Sequence, residues 1–237
     1  MSALSELQKH LTRYWALPYH DDEKLHAKLN EVQAWQRARI RRTHSELFEQ
    51  PKNKPMANYF VTQLYGGDEF KLLAKQLERI LPKAKKLERL AKETVLETGT
   101  MAVQAAILAI ELDMHLAQWL IEHDLPVNEE NMLTAYLAVD EADERRVQIN
   151  NLKEVCYRTD KYLNSFVLRK AFSFAKGAAY SRGYQPLYDF IDAGFTAMKP
   201  LKSVGGFIEP FCERELKIID QVHEADSDDK GSVFAVS

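Results

Sequence analysis

Along almost the whole chain apolar residues recur every three or four positions, and the β-branched alternation that a half-buried strand requires is nearly absent. That pattern confines the chain to an all-α architecture, a single bundle of about eight to ten helices. No repeat period points to a solenoid. The spacing predicts helices at about residues 2–15, 21–49, 55–65, 68–81, 83–97, 100–124, 128–142, 143–180, 185–198 and 204–224. The most hydrophobic of them, 100–124, belongs at the centre. Punctuation at the joints agrees: Pro51 and Pro55 stop the second helix, Asp68 follows Gly66-Gly67 as a cap, Asn128 caps after Pro126, and Pro186 suits a first turn.

With 237 residues, 46% of them hydrophobic, the chain can bury a substantial core, and residues 1–224 read as one domain. Residues 225–237 read as an acidic, flexible tail. A net charge of -3 argues against a dedicated nucleic-acid binder. The basic runs "RARIRR" from Arg37 and "KAKKLERLAK" from Lys83 lack interleaved aromatics and are expected to be solvated helix faces. The first residues lack a signal-peptide core and no run reads as long and charge-poor enough to span a bilayer, so a cytoplasmic protein without membrane insertion is expected. Cys156 and Cys212 fall at core spacings and are expected to be buried thiols.

The stretch "NYFVTQLYGGDEF" from Asn58 crowds aromatics against two glycines. Met56, Tyr59, Phe60 and Leu64 share one face, and Phe70, Leu73, Leu77, Ile80 and Leu81 share the next, so the glycines mark a corner between two helices. A phosphate cradle would follow a strand instead. Within it Tyr59 to Tyr65, "YFVTQLY", resembles the signature of the bacterial FFLEELY-motif proteins. "WQRARI" from Trp35, "IELD" ending at Asp113, "RRVQI" ending at Ile149 and "IEPFCERE" ending at Glu215 are similar to that family's pattern too. The resemblance spans roughly residues 30 to 220. It implies a helical fold and no reaction, since the family is uncharacterised. Thr62 and Gln63 stand where the signature has two glutamates, which favours a folding role for Tyr59, Phe60, Gln63, Leu64 and Tyr65.

Polar residues that intrude on apolar faces carry the functional signal. In 100–124, Thr100, Gln104, Glu111, His115, Gln118 and Glu122 form an ordinary polar stripe, and Glu111 with His115, one turn apart, suits a metal pair or an i,i+4 surface contact, of which the surface contact is expected. Asp113 projects to the opposite side, among Ala106, Ala109, Ile110 and Ala117. Glu215 lies in the apolar face of the last helix, Gln36 and Arg39 lie in that of the second, and Arg145 and Gln148 begin the face of Ile149 and Leu152. Buried charges without partners cost several kcal/mol, so these side chains are expected to meet in an internal cluster. The forked guanidinium of Arg39 is suited to bridging Asp113 and Glu215.

Two functional classes follow. The first is a non-enzymatic binding or regulatory protein that meets a protein partner through a helical surface. The second is a protein or enzyme that binds a small polar or anionic molecule in a pocket bounded by Arg39, Asp113 and Glu215, which a cavity above roughly 300 Å³ would favour. No cofactor or metal is expected: there is no Gly-rich loop, and the nearest approaches to a ligand spacing are Asp220-x-x-His223 and Asp22-x-x-x-His26. The stripe Leu187, Phe190, Ile191, Phe195 and Met198 reads as core, and Gly194 on that face allows a close approach.

Overall fold

A computed structural model describes residues 2–64, 67–83, 92–224 and 233–234, and among them no strand occurs. The described helices are α1 (Ala3–Trp15), α2 (Glu23–Thr43), α3 (Ser45–Phe48), α4 (Lys54–Tyr59), α5 (Gly67–Ile80), α6 (Glu93–Glu122), α7 (Glu129–Val139), α8 (Ala142–Leu163), α9 (Phe166–Ser181), α10 (Gln185–Met198) and α11 (Gly205–Glu224). The chain is all-α, as its periodicity predicts. Side-chain oxygens begin several helices by accepting a free backbone N–H: Ser2 for α1, Asp22 for α2, Asn128 for α7 and Ser165 for α9. The expected Asp68 cap, most of "KAKKLERLAK", Tyr65 and Gly66 lie outside the described residues.

Four boundaries differ from expectation. The predicted break between 83–97 and 100–124 does not occur, since α6 runs continuously through Gly99 from Glu93 to Glu122. The predicted helix 143–180 is two helices, because the "NS" at Asn164-Ser165 provides a new cap where the hydrophobic spacing runs on without a break. The predicted 21–49 breaks at His44, which leaves helical geometry and turns its ring into the core. The motif helix 55–65 is α4 followed by a π-helical turn over Phe60–Leu64. That wider turn buries Phe60 and Val61 and leaves Thr62 and Gln63 exposed.

Thirty-residue α6 is the axis: α1, α2, α7 and α8 pack on it, and α8 also packs on α11. By length and composition α6 could cross a membrane, contrary to the reading that no run qualifies. Here it carries Glu111 and Asp113 buried among neighbouring helices. The core divides into two apolar clusters. One gathers Leu11, Tyr14, Leu29 and Val32 with Ile110, Met114, Leu116, Met132 and Ile218. The other gathers Ile40, Phe48, Phe60, Ile149 and Cys156 with Phe207, Phe211 and Cys212. Each buries enough hydrocarbon to stabilise its own half, since a fully buried aliphatic or aromatic side chain contributes roughly 1.5–3 kcal/mol. Of residues 225–237 only Val233 and Phe234 are described, and both are buried. Phe234 meets Trp35 edge-on, with ring centroids 5.2 Å apart.

Candidate functional site

The seam between the two clusters is polar. On α2, Gln36 and Arg39 lie between Val32 of the first cluster and Ile40 of the second. On α11, Glu215 lies between Cys212 and Ile218 in the same way. Asp113 enters from α6 and Arg145 from α8, and all five side chains are buried. The helical projections therefore place the expected inward charges correctly, and the structure brings them together.

The pairing is more specific than expected. The fork of Arg39 grips Glu215, with Nη1 to Oε1 at 2.6 Å and Nη2 to Oε2 at 2.8 Å. His44 Nε2 lies 2.7 Å from Glu215 Oε1. Asp113 accepts a hydrogen bond from Gln36 Nε2 at 3.1 Å, and Arg145 Nη1 stands 3.9 Å from its Oδ1. Arg145 also donates to the Leu112 carbonyl and lies over the Tyr136 ring, 4.4 Å from its centroid. Gln36 joins the two halves, since its Oε1 accepts from Arg39 Nε at 3.3 Å while its Nε2 donates to Asp113 and to the Tyr136 hydroxyl. Gln148 makes none of these contacts.

Burial would push the Glu215 carboxyl up, but the Arg39 guanidinium and the His44 hydrogen bond outweigh it and hold the group at about 2. Two guanidinium groups and two carboxylates leave the seam close to neutral, which suits a buried ionic group. His44 and Tyr136 are the members that sequence reading missed. His44 lies past the end of the α2 face, stacked between Phe48 and Phe211 at 5.5 and 4.4 Å. Tyr136 follows Met132 and Ala135 as an ordinary core residue of α7.

Glu111 corrects another expectation. It is buried, and the Arg13 side chain of α1 grips both its oxygens, while His115 pairs with Glu141 at 2.6 Å. The polar stripe is thus partly covered by α1, where Thr100 donates to the Ala3 carbonyl at 3.0 Å. Among the described residues no group of three or more His, Cys, Asp or Glu side chains is placed to hold a metal ion.

Beside the seam lies a chamber of about 1090 Å³, walled by α5, α6, α8, α9 and α10. Its existence follows from residue size. Helix α6 turns Gly99, Ala102, Ala105, Ala106 and Ala109 toward it, and α9 turns Ala175, Ala178 and Ala179. Such short side chains cannot reach across the gap between the helices. The stripe Leu187, Phe190, Ile191, Phe195 and Met198 lines this space, so only part of it is closed core. Gly194 does admit a close neighbour: a Cβ there would lie 2.8 Å from the Tyr59 hydroxyl, which donates to the Phe190 carbonyl. Arg39, Glu215, Gln36, Arg145 and Gln148 border the inner end. Asp113 does not; it faces a separate void of about 10 Å³, the size of a single water. At the outer end exposed Lys83 and Arg182 form the rim.

A search of curated proteins and one of solved structures found no match to the chain. Residues 16–229, which hold the whole seam and the described walls of the chamber from α2 onward, match the family described as a domain of unknown function (DUF8198), and the chain belongs to that family.

Proposed function

We propose that the protein binds an amphiphilic small molecule, with a hydrocarbon part filling the chamber and a polar head at the Lys83 and Arg182 rim. The observation that carries this reading is the size and chemistry of the chamber. Protein interiors are packed to crystal density, with few voids larger than a water. A space of about 1090 Å³ between the helices departs from that packing and leaves its mostly apolar walls facing solvent. Water is a poor occupant of walls made of Leu, Ile, Phe and Ala, and a hydrocarbon chain is a good one. The volume also reaches the upper range of small-molecule sites.

The inner end offers hydrogen bonds without a net charge, because Arg39 is already engaged by Glu215. The Gln148 amide faces the chamber with no hydrogen bond to the protein among the described residues, so it is the group free to orient a ligand's interior polar atom. Chemistry on the ligand is not part of the reading. Cys156 lines the wall, but burial pushes its thiol well above the ordinary range and keeps it protonated.

The test is uptake of a fluorescent long-chain carboxylate in detergent-free solution, compared between the natural protein and Ala106→Trp, which fills the chamber from α6. Uptake by the former and its loss in the variant, with the melting temperature kept or raised, is expected. No uptake by the natural chain, or uptake that ignores the tryptophan, would overturn the reading.

A further inference from the structure

Helix α9 has no buried residue, although its sequence, "FVLRKAFSFAKGAAYS", is largely apolar. Its inner side, with Phe172, Ala175 and Ala179, closes the chamber. Its outer side exposes Phe166 at 64%, Val167 at 68% and Phe174 at 79%. Exposed Arg169, Lys170 and Lys176 lie on the same helix, Lys170 reaching over the Phe166 ring and Lys176 over the rings of Tyr180 and Tyr188, and the helix contains no acidic residue, in a chain whose net charge is -3. Two acids of α10 lie near the C-terminal end of α9: Asp189 accepts a hydrogen bond from Tyr180, and Asp192 acts on the same phenol through its charge.

We infer that the outer face of α9 docks on the surface of an anionic lipid bilayer. Large apolar side chains interspersed with cations are what an interfacial helix presents to the boundary between headgroups and acyl chains, and basic residues add attraction to an anionic leaflet. Charge argues against a second copy as the occupant. A two-fold contact would set Arg169, Lys170 and Lys176 against themselves. Three side chains on one helix also fall short of the roughly 800 Å² per partner that a stable dimer buries. The helix is held for such a role at its far end: Arg79 of α5 donates to the carbonyls of Arg182 and Gly183, both at 3.2 Å. Gly183 takes a left-handed turn there, with φ of 74°. Docking stands on the outer face alone, while its use rests on the amphiphile reading, since it would set the wall of the chamber against the source of its ligand.

The experiment is co-sedimentation of the full chain with extruded phosphatidylcholine vesicles, with and without about one-third phosphatidylglycerol. Binding to the anionic vesicles alone, weakened by salt, is expected. Arg169→Gln/Lys170→Gln/Lys176→Gln should lower partitioning on the order of 100-fold, each basic residue contributing roughly fivefold. Phe166→Ser/Phe174→Ser should also abolish sedimentation, and because these side chains are exposed the far-UV spectrum and melting temperature should not change. Equal binding to neutral vesicles, no binding to either, or binding indifferent to the variants would overturn the inference. So would a concentration-dependent dimer that Phe174→Ser disperses without vesicle binding, which would assign the face to a second copy. Probe uptake without vesicles should be the same in both variants as in the natural chain, so a failed chamber and a failed docking face give different results.

Discussion

Replacing Glu215 by glutamine keeps the shape of the side chain and removes the charge that Arg39 and His44 grip. The cost follows by two routes. A carboxyl held at about 2, against an ordinary 4.5, contributes about 3 kcal/mol at neutral pH. Breaking one partner of a buried pair costs about 3–5 kcal/mol in other proteins. The folded state lowers the affinity of Glu215 for its proton, so the contribution is fully present above pH 4.5 and disappears as the pH falls through about 2. Urea unfolding followed by far-UV circular dichroism should therefore show Glu215→Gln less stable by about 3 kcal/mol at pH 7, with its melting temperature lower by roughly 6–12 °C. The gap should narrow progressively below pH 4.5. The double variant Arg39→Met/Glu215→Leu, which removes both charges, should recover most of the loss. A neutral-pH gap below about 1 kcal/mol, or one that does not change with acid, would refute the account of the seam.

Further outcomes follow from other contacts. Phe234→Ala should cost about 3 kcal/mol and red-shift the tryptophan emission, because Trp35 loses the ring packed on it; an unchanged spectrum would contradict that packing. Gly194→Ala should destabilise the chain by about 1–3 kcal/mol, since its new methyl would press on Tyr59, and Tyr59→Leu in the same chain should relieve most of this in thermal melts. His115 has its pKa raised, first by the hydrogen bond it donates to Glu141 and against the opposing effect of burial. Its contribution should be complete below the ordinary 6.5 and fade as the pH rises through the elevated value. His115→Gln should remove that part of the stability profile, as denaturant titrations on both sides of neutrality will show.

Much of this architecture is legible in the residues. Asp113, Glu215, Arg39, Gln36 and Arg145 announce their burial because a helix fixes which side chains share a face, and a charge among Ala, Ile and Leu has nowhere else to point. The choice of partners is not legible, because periodicity gives the direction of a side chain and not the helix that stands opposite. Hence Arg39 is found gripping Glu215, Gln148 stands apart, and Glu111 disappears under an arginine of α1. His44 eludes a face projection because it acts from the residue after the helix. The chamber is the least visible feature. Small residues on α6 and α9 read equally well as close packing or as room, and only the separation of the backbones decides between them.

A helix without a buried residue of its own, held mainly through Phe172 against Tyr188 and Phe195, can open before the segments that form the core. Backbone amides of α9 should trade hydrogen for deuterium through local opening, in the time the buried segments of α6 remain protected. The same independence makes the linkers at Asn164 and Gly183 the natural places for a protease to cut first, leaving the remainder folded.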